Sequence, residues 1–265
     1  MKTLSEHGHR MSDQKPTEPA SAPLLAPVEL AGADIDDAVS HSLAVLGRVY
    51  HYNHWIFVSF RDWLGETAVE IGSGVGNITQ FLLNLRRVVC LEPYEPYCRY
   101  LVRRFEQHTN VEVYPHAVEQ CPNGDVPAGA FDSAVCLNVL EHIEDDVGAL
   151  ARMKQLLRPG GRAIVLVPAL PCLFGQMDRA MGHLRRYTLN SMRRAFVAAG
   201  IRPRYGRYMN MAGVPAWWWR GRVQKKSHIP ENATRLFDRL VPVLSAIERL
   251  VPVLFGQSML LVGEA

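Results

Sequence analysis

The stretch VEIGSGVGN, residues 69–77, constrains the fold of this chain more than any other. A short apolar run ends in a carboxylate, Glu70, and glycines then stand at alternate positions, Gly72, Gly74 and Gly76. Glycine adopts left-handed backbone without strain and puts no side chain between a ligand and the main chain. Between a strand and a helix, such a loop is a place for a small molecule to lie against bare backbone. The same alternation then repeats. RVVCLEP, VEVYPHAV, FDSAVCLNVLEHI and RPGGRAIVLVPA each contain a strand-like run. Between them, apolar residues recur at steps of three and four, as at Ile78, Phe81, Leu82 and Leu85. Five strands spaced by helices predict right-handed βαβ units and a parallel sheet covered on both faces. The ligand site then belongs at the carboxyl ends of the strands.

The glycine spacing narrows the ligand. The dinucleotide fingerprint is G-x-G-x-x-G, whereas here the third glycine comes one residue early and Asn77 takes its usual place. Pyrophosphate is therefore not the first choice. Glu92 closes the second strand, 20 residues beyond Gly72. An acidic side chain there can accept both hydroxyls of an unphosphorylated ribose. Nicotinamide sites share that spacing, so Glu92 alone does not decide.

Four motifs in order carry a resemblance: Glu70-x-Gly72-x-Gly74-x-Gly76, Glu92, FDSAVCLNVLEHIEDD and LLRPGGRAIVLVPA. Together they resemble the class I S-adenosylmethionine-dependent methyltransferases, closest to the type 11/12 small-molecule group, over about residues 45–265. The resemblance implies a Rossmann-like doubly wound α/β fold with a seven-stranded sheet, mostly parallel with one antiparallel strand. It implies S-adenosylmethionine as cofactor and S-adenosylhomocysteine as product. Gly72, Ser73, Gly74, Gly76 and Asn77 would bring backbone to the methionine part, and Glu70 would help hold its amino group. Glu92 would bind the ribose, Pro93 and Tyr94 would flank the adenine, and Ala117 and Val118 would contact its ring. Asn138 would sit beneath the sulfonium, and Tyr52 would reach the cofactor carboxylate from an N-terminal lid.

Methyl transfer from a sulfonium is a direct displacement, so the protein mainly aligns donor and acceptor and excludes water. A base is needed only where the acceptor must lose a proton. His142, four residues past Asn138, is the first candidate, with Glu141 beside it; the pair can equally be structural. MDRAMGHLRRYT adds His183 and Tyr187 as further catalytic candidates in a segment expected to cover the site. Arg185 or Arg186 there can meet a substrate anion or pair with a local acid such as Asp178. No N-P-P-Y-like tetrad follows the fourth strand, which argues against adenine or glutamine nitrogen as acceptor. No metal site is expected.

The net charge of +3 is too small to argue for nucleic acid. Five cysteines without C-x-x-C spacing read as a reduced set, with Cys90 and Cys136 as small core residues. Without an apolar leader or a run of membrane-spanning length, the chain reads as cytoplasmic. Residues 1–33 read as a disordered tail, 34–65 as a helical lid, 66–168 as the cofactor core and 169–265 as a substrate-shaping region. In the last of these, three adjacent tryptophans, Trp217 to Trp219, cannot all face one way on a helix. They can wall an apolar pocket, meet a partner, or rest on a membrane surface. The expected reaction is methyl transfer to a small, apolar acceptor by a monomer or homodimer, with no nucleic acid as partner and peripheral membrane contact a minor alternative. Its rivals are a non-methylating step such as a cyclisation on the same cofactor fold, and nicotinamide-dependent oxidoreduction.

Overall fold

A computed structural model describes residues 49–219 and 231–265. The expected tail, the first part of the lid and the basic stretch after Trp219 lie outside the described residues. Within them the alternation becomes one sheet. Its strands are β1 (Thr67–Ile71), β2 (Arg87–Leu91), β3 (Val111–Tyr114), β4 (Phe131–Leu137), β5 (Leu157–Pro168), β6 (Arg202–Met209) and β7 (Ser258–Glu264). They lie in the order β3-β2-β1-β4-β5-β7-β6. β1 pairs parallel with both β2 and β4. β7 runs antiparallel between β5 and β6, so the sheet has seven strands and a single antiparallel one, as expected. The chain starts at β1, steps outward to β3, then crosses to β4 on the other side. That reversal opens a crevice over the carboxyl ends of β1 and β4.

The strands are apolar throughout because both faces are covered. β1 is buried at every residue. On one face Val69, Ile71 and Phe131 pack with Leu150 and Met153 of α4 (Asp146–Leu156) and Phe196 of α6 (Leu189–Ala198). On the other, Val88, Cys90 and Val135 pack with Trp55 and Phe60 of α1 (Tyr50–Phe60), Leu101 of α3 (Glu95–Arg104) and Val241 of α8 (Glu231–Leu250). Asp145 caps α4 by accepting the Gly148 N–H at 2.8 Å, and Thr188 caps α6 through the Ser191 N–H at 3.1 Å. None of the five cysteines forms a disulfide.

One helix is shorter than its apolar spacing predicts, and another turns its apolar row outward. The helix after the glycine loop, α2 (Thr79–Leu82), is a single turn. Only ten residues separate Gly76 from β2, and the loop itself uses the first of them. The apolar row of α8 does not face the core. Leu236, Leu240, Ile247 and Leu250 are exposed, while Asp238, Ser245 and Glu248 are buried. Backbone hydrogen bonding explains the inversion. Asp238 accepts the N–H of Tyr52 at 2.9 Å, and Glu248 accepts those of Asn210 and Met211 at 3.1 and 2.6 Å. Acidic groups with that many donors are worth more inside than apolar ones. Among the described residues no helix is long and apolar enough to cross a membrane.

Candidate functional site

A cavity of about 550 Å³ opens over the carboxyl ends of four neighbouring strands. Ala117 and Val118 line it after β3, and Glu92, Pro93 and Tyr94 after β2. Glu70, Gly72, Ser73, Gly74 and Asn77 line it at β1, and Asn138, Val139 and His142 after β4. Tyr52 of α1 closes one side. At ordinary strand spacing, four strands make an opening about 14 Å long. Of the expected cofactor residues, only Gly76 is not in its wall.

The loop is built from left-handed backbone. Gly72, Gly74 and Gly76 have φ of 66°, 56° and 79°, a region costly for other residues. A Cβ on Gly72 would also lie 2.4 Å from Val139, and one on Gly76 2.6 Å from Phe105. Gly76 therefore serves packing rather than ligand approach. Asn138 is left-handed too, at φ 55°, which asparagine bears better than most residues. Its N–H is held by the Leu166 carbonyl at 2.8 Å.

Two buried carboxylates set the electrostatics. Glu92 accepts the N–H of Gly74 at 2.7 Å and of Tyr94 at 2.9 Å. A carboxylate has about four lone-pair positions, so it can still accept ribose hydroxyls. Burial raises its pKa, and those two N–H groups oppose the rise. Glu70 accepts the Thr79 hydroxyl at 2.6 Å, and burial lifts its pKa to about 7. A pyrophosphate would meet these two acids, and the Gly74 N–H it needs is already taken. With α2 only one turn long, little helix dipole remains to offset that repulsion. The cavity fits a cofactor with a ribose and a cationic, amine-bearing end. The alternative of a nicotinamide dinucleotide fits poorly.

The proposed catalytic residues separate. His142 lines the cavity, and its Nδ1 lies 3.2 Å from the Gly182 carbonyl. Desolvation, then the neighbouring His183, lowers its pKa to about 4. His183 lies beside it, rings edge to face at 4.9 Å between centroids. Its Nδ1 is 3.0 Å from Asp178 Oδ1. Tyr187 goes elsewhere. It lines neither this cavity nor the one next to it. Its ring is in the core and its hydroxyl donates to Asp146 at 2.8 Å. Four residues on from His183, it falls on the opposite side of the β5–α6 connection. The arginines pair locally: Arg186 with Asp178 at 2.7 Å and Arg185 with Asp146 at 3.1 Å.

A second cavity of about 270 Å³ adjoins the first. Tyr52, Asn138, Met181 and His183 belong to both walls. α7 (Gly213–Trp218) contributes Gly213, Ala216 and Trp217, and α8 contributes Phe237. The tryptophans divide as their adjacency requires. Trp217 walls this cavity, with Arg186 over its ring at 4.8 Å, while Trp218 and Trp219 are exposed. Sequence reading missed His116 and Glu119, which line the first cavity after β3, and Met177, which lines the second. His116 and Glu119 flank the expected Ala117 and Val118, and Met177 opens the segment expected to cover the site, so their place beside named residues was the available signal.

A family model described as "Methyltransferase domain" matches residues 52–205, more than half the chain. This chain belongs to the methyltransferase-domain family. With the strand order above, it has the fold of the class I S-adenosylmethionine-dependent methyltransferases. Solved structures share the fold. A geranyl diphosphate methyltransferase in complex with SAM superposes with a TM-score of 0.59 at 13% identity, covering 88% of this chain and 92% of that one. An S-adenosylmethionine-dependent methyltransferase from Mesorhizobium loti has a TM-score of 0.56 at 16% identity, covering 80% and 98%. A tRNA U34 carboxymethyltransferase from Syntrophotalea carbinolica is 30% identical over 153 residues, 56% of this chain and 44% of its own length. The chain spans less than half the length of the curated relatives it matches.

Proposed function

We propose that this methyltransferase moves a methyl group onto a small, mostly apolar molecule held in the second cavity. The observation that carries the reading is the shared wall of Tyr52, Asn138, Met181 and His183 between the two cavities. At about 270 Å³ the second cavity lies just under the range of about 300–1,000 Å³ for ligand pockets, which suits a small acceptor. S-adenosylmethionine supplies an activated methyl on a sulfonium. The residues of this chain do the remaining work. Gly72 and Gly74 admit the ligand to the backbone, and Glu92 anchors the ribose. Glu70 and Tyr52 hold the polar end. Asn138, at the boundary, positions the donor side against the acceptor. Met177, Trp217 and Phe237 exclude water and give the acceptor an apolar wall, which favours alignment over solvation. Trp217 Nε1, buried and without a hydrogen-bond partner among the described residues, is a donor for a polar atom of the acceptor.

The tRNA-acting relatives favour a second reading, in which RNA is the acceptor. The two readings differ in where label goes. The enzyme would be incubated with methyl-tritiated cofactor and a cell extract, and counts followed into solvent-extractable, RNA and protein fractions. We expect label in the solvent-extractable fraction. Label in RNA alone would overturn the small-molecule reading. Cofactor binding with no label in any fraction, but a changed metabolite profile, would favour a non-methylating step instead.

A further inference from the structure

The junction of the two cavities holds a group the reaction so far does not use. Glu141 stands on a short 3-10 turn after β4, between Leu140 and His142. Its side chain is fully buried, and neither carboxylate oxygen has a hydrogen-bond partner among the described residues. A carboxylate stripped of water and given no donor is costly, so the site asks for a cation. Two imidazoles face it. The Gly182 carbonyl can only accept, so His142 Nδ1 donates to it at 3.2 Å. Asp178 Oδ1, 3.0 Å from His183 Nδ1, likewise accepts. Both rings therefore carry their proton on Nδ1 and leave Nε2 as a lone pair. His183 Nε2 lies 3.9 Å from Glu141 Oε1. One ligand atom from each of Glu141, His142 and His183 lies within 4.8 Å of the others.

From this arrangement we infer that Glu141, His142 and His183 bind one divalent transition-metal ion at the mouth of the acceptor cavity. Two imidazole nitrogens and one carboxylate, with positions left open, are the donor set of zinc, manganese, iron(II) or cobalt(II). The surrounding groups support it. A ligating histidine usually donates its other N–H to a carboxylate or a backbone carbonyl, and both rings here do so. Charge also balances. Arg186 offsets Asp178 at 2.7 Å, which leaves the Glu141 carboxylate for the metal. The three donor atoms, within 4.8 Å of one another, would draw closer around an ion held at about 2.0–2.2 Å.

The inference deepens the proposed function and rests on it, because it names the acceptor class. An ion here would take an oxygen of the acceptor into an open position and lower its pKa. The acceptor is then a hydroxyl or enol compound, methylated on oxygen, and its proton leaves to solvent. His142 and His183 act as ligands rather than as bases.

The test uses the full chain. Protein stripped with chelator and dialysed would be titrated with cobalt(II), following visible ligand-field absorption, and with zinc, measuring bound metal. Binding of S-adenosylhomocysteine would be measured on the same samples. We expect about one metal per chain. E141Q and H183Q should weaken the metal at least tenfold, and E141Q, at a position that does not line the cofactor cavity, should leave S-adenosylhomocysteine binding within about twofold of the wild type. H108A, far from the site, should change neither. Wild-type protein that binds S-adenosylhomocysteine but no stoichiometric metal would overturn the inference and leave the methyltransferase reading intact. So would metal binding unchanged in both variants, which would place the ion elsewhere. If E141Q or H183Q fails to fold, H142Q supplies the comparison of metal affinity. Loss of S-adenosylhomocysteine binding in the wild type would instead strike the proposed function itself.

Discussion

Glu92 shows how one side chain can build a loop and still serve a ligand. It accepts the N–H groups of Gly74 and Tyr94, fixing the turn, and keeps lone pairs toward the cavity. Replacing it by alanine removes charge-assisted hydrogen bonds worth about 1.5–3 kcal/mol each. Glu92→Ala should therefore weaken S-adenosylhomocysteine at least tenfold by calorimetry, and an unchanged dissociation constant would remove Glu92 from the ribose site. Glu70 carries a pH signature. Burial raises its pKa from 4.5 to about 7. As pH rises, the unfolded chain releases this proton near 4.5 and the folded chain only near 7. Stability is thus lost as pH rises through that window, reaching a cost of about 3 kcal/mol above it. Thermal melts of Glu70→Gln should gain on the wild type from about pH 5 to about pH 8; parallel curves would show that Glu70 is not held protonated. At this scale the strand-end residues were legible, because a carboxylate or glycine that closes an apolar run has little else to do. Tyr187 was not. Proximity in sequence to His183 says nothing about which side of the chain a ring faces, and its own hydroxyl found Asp146.

Elements reach the site through one another. α1 carries Tyr52, and its first N–H groups are held from α8, where Asp238 accepts from Tyr52 at 2.9 Å and from His51 at 3.4 Å. A carboxylate at a helix start contributes about 1 kcal/mol. Asp238→Ala should lower the melting temperature, speed amide exchange in α1 and raise the dissociation constant for S-adenosylhomocysteine. Unaltered exchange in α1 would show that the tether is idle. Tyr187→Phe offers the converse case. It should cost about 1 kcal/mol of stability and leave kcat intact; a large loss of turnover at unchanged stability would return Tyr187 to the chemistry. The inversion of α8 could not be read from its sequence. Helical periodicity finds the apolar stripe, but whether that stripe turns inward depends on which backbone N–H groups need acceptors across the fold.

Over the whole molecule, the seven strands with one antiparallel were implied by the family resemblance, while the parallel sheet and the position of the cavity at its carboxyl ends followed from alternation and glycine placement. These are local properties, and right-handed crossovers leave few ways to assemble them. The second cavity was not legible in this way. Its wall gathers residues as far apart as Tyr52, Asn138, Trp217 and Ser258, and no spacing rule links them. The convergence of Glu141 and His142 with His183 is equally non-local, since the 40-residue gap is closed only when β5 and the segment after it return to the sheet's edge. Both the proposed transfer and the acceptor cavity's role depend on the cofactor that the first cavity holds. Calorimetric titration with S-adenosylmethionine, S-adenosylhomocysteine and NAD tests this most directly. Saturable one-site binding of the first two, with none of NAD, is the expected result; binding of NAD without either would contradict the account.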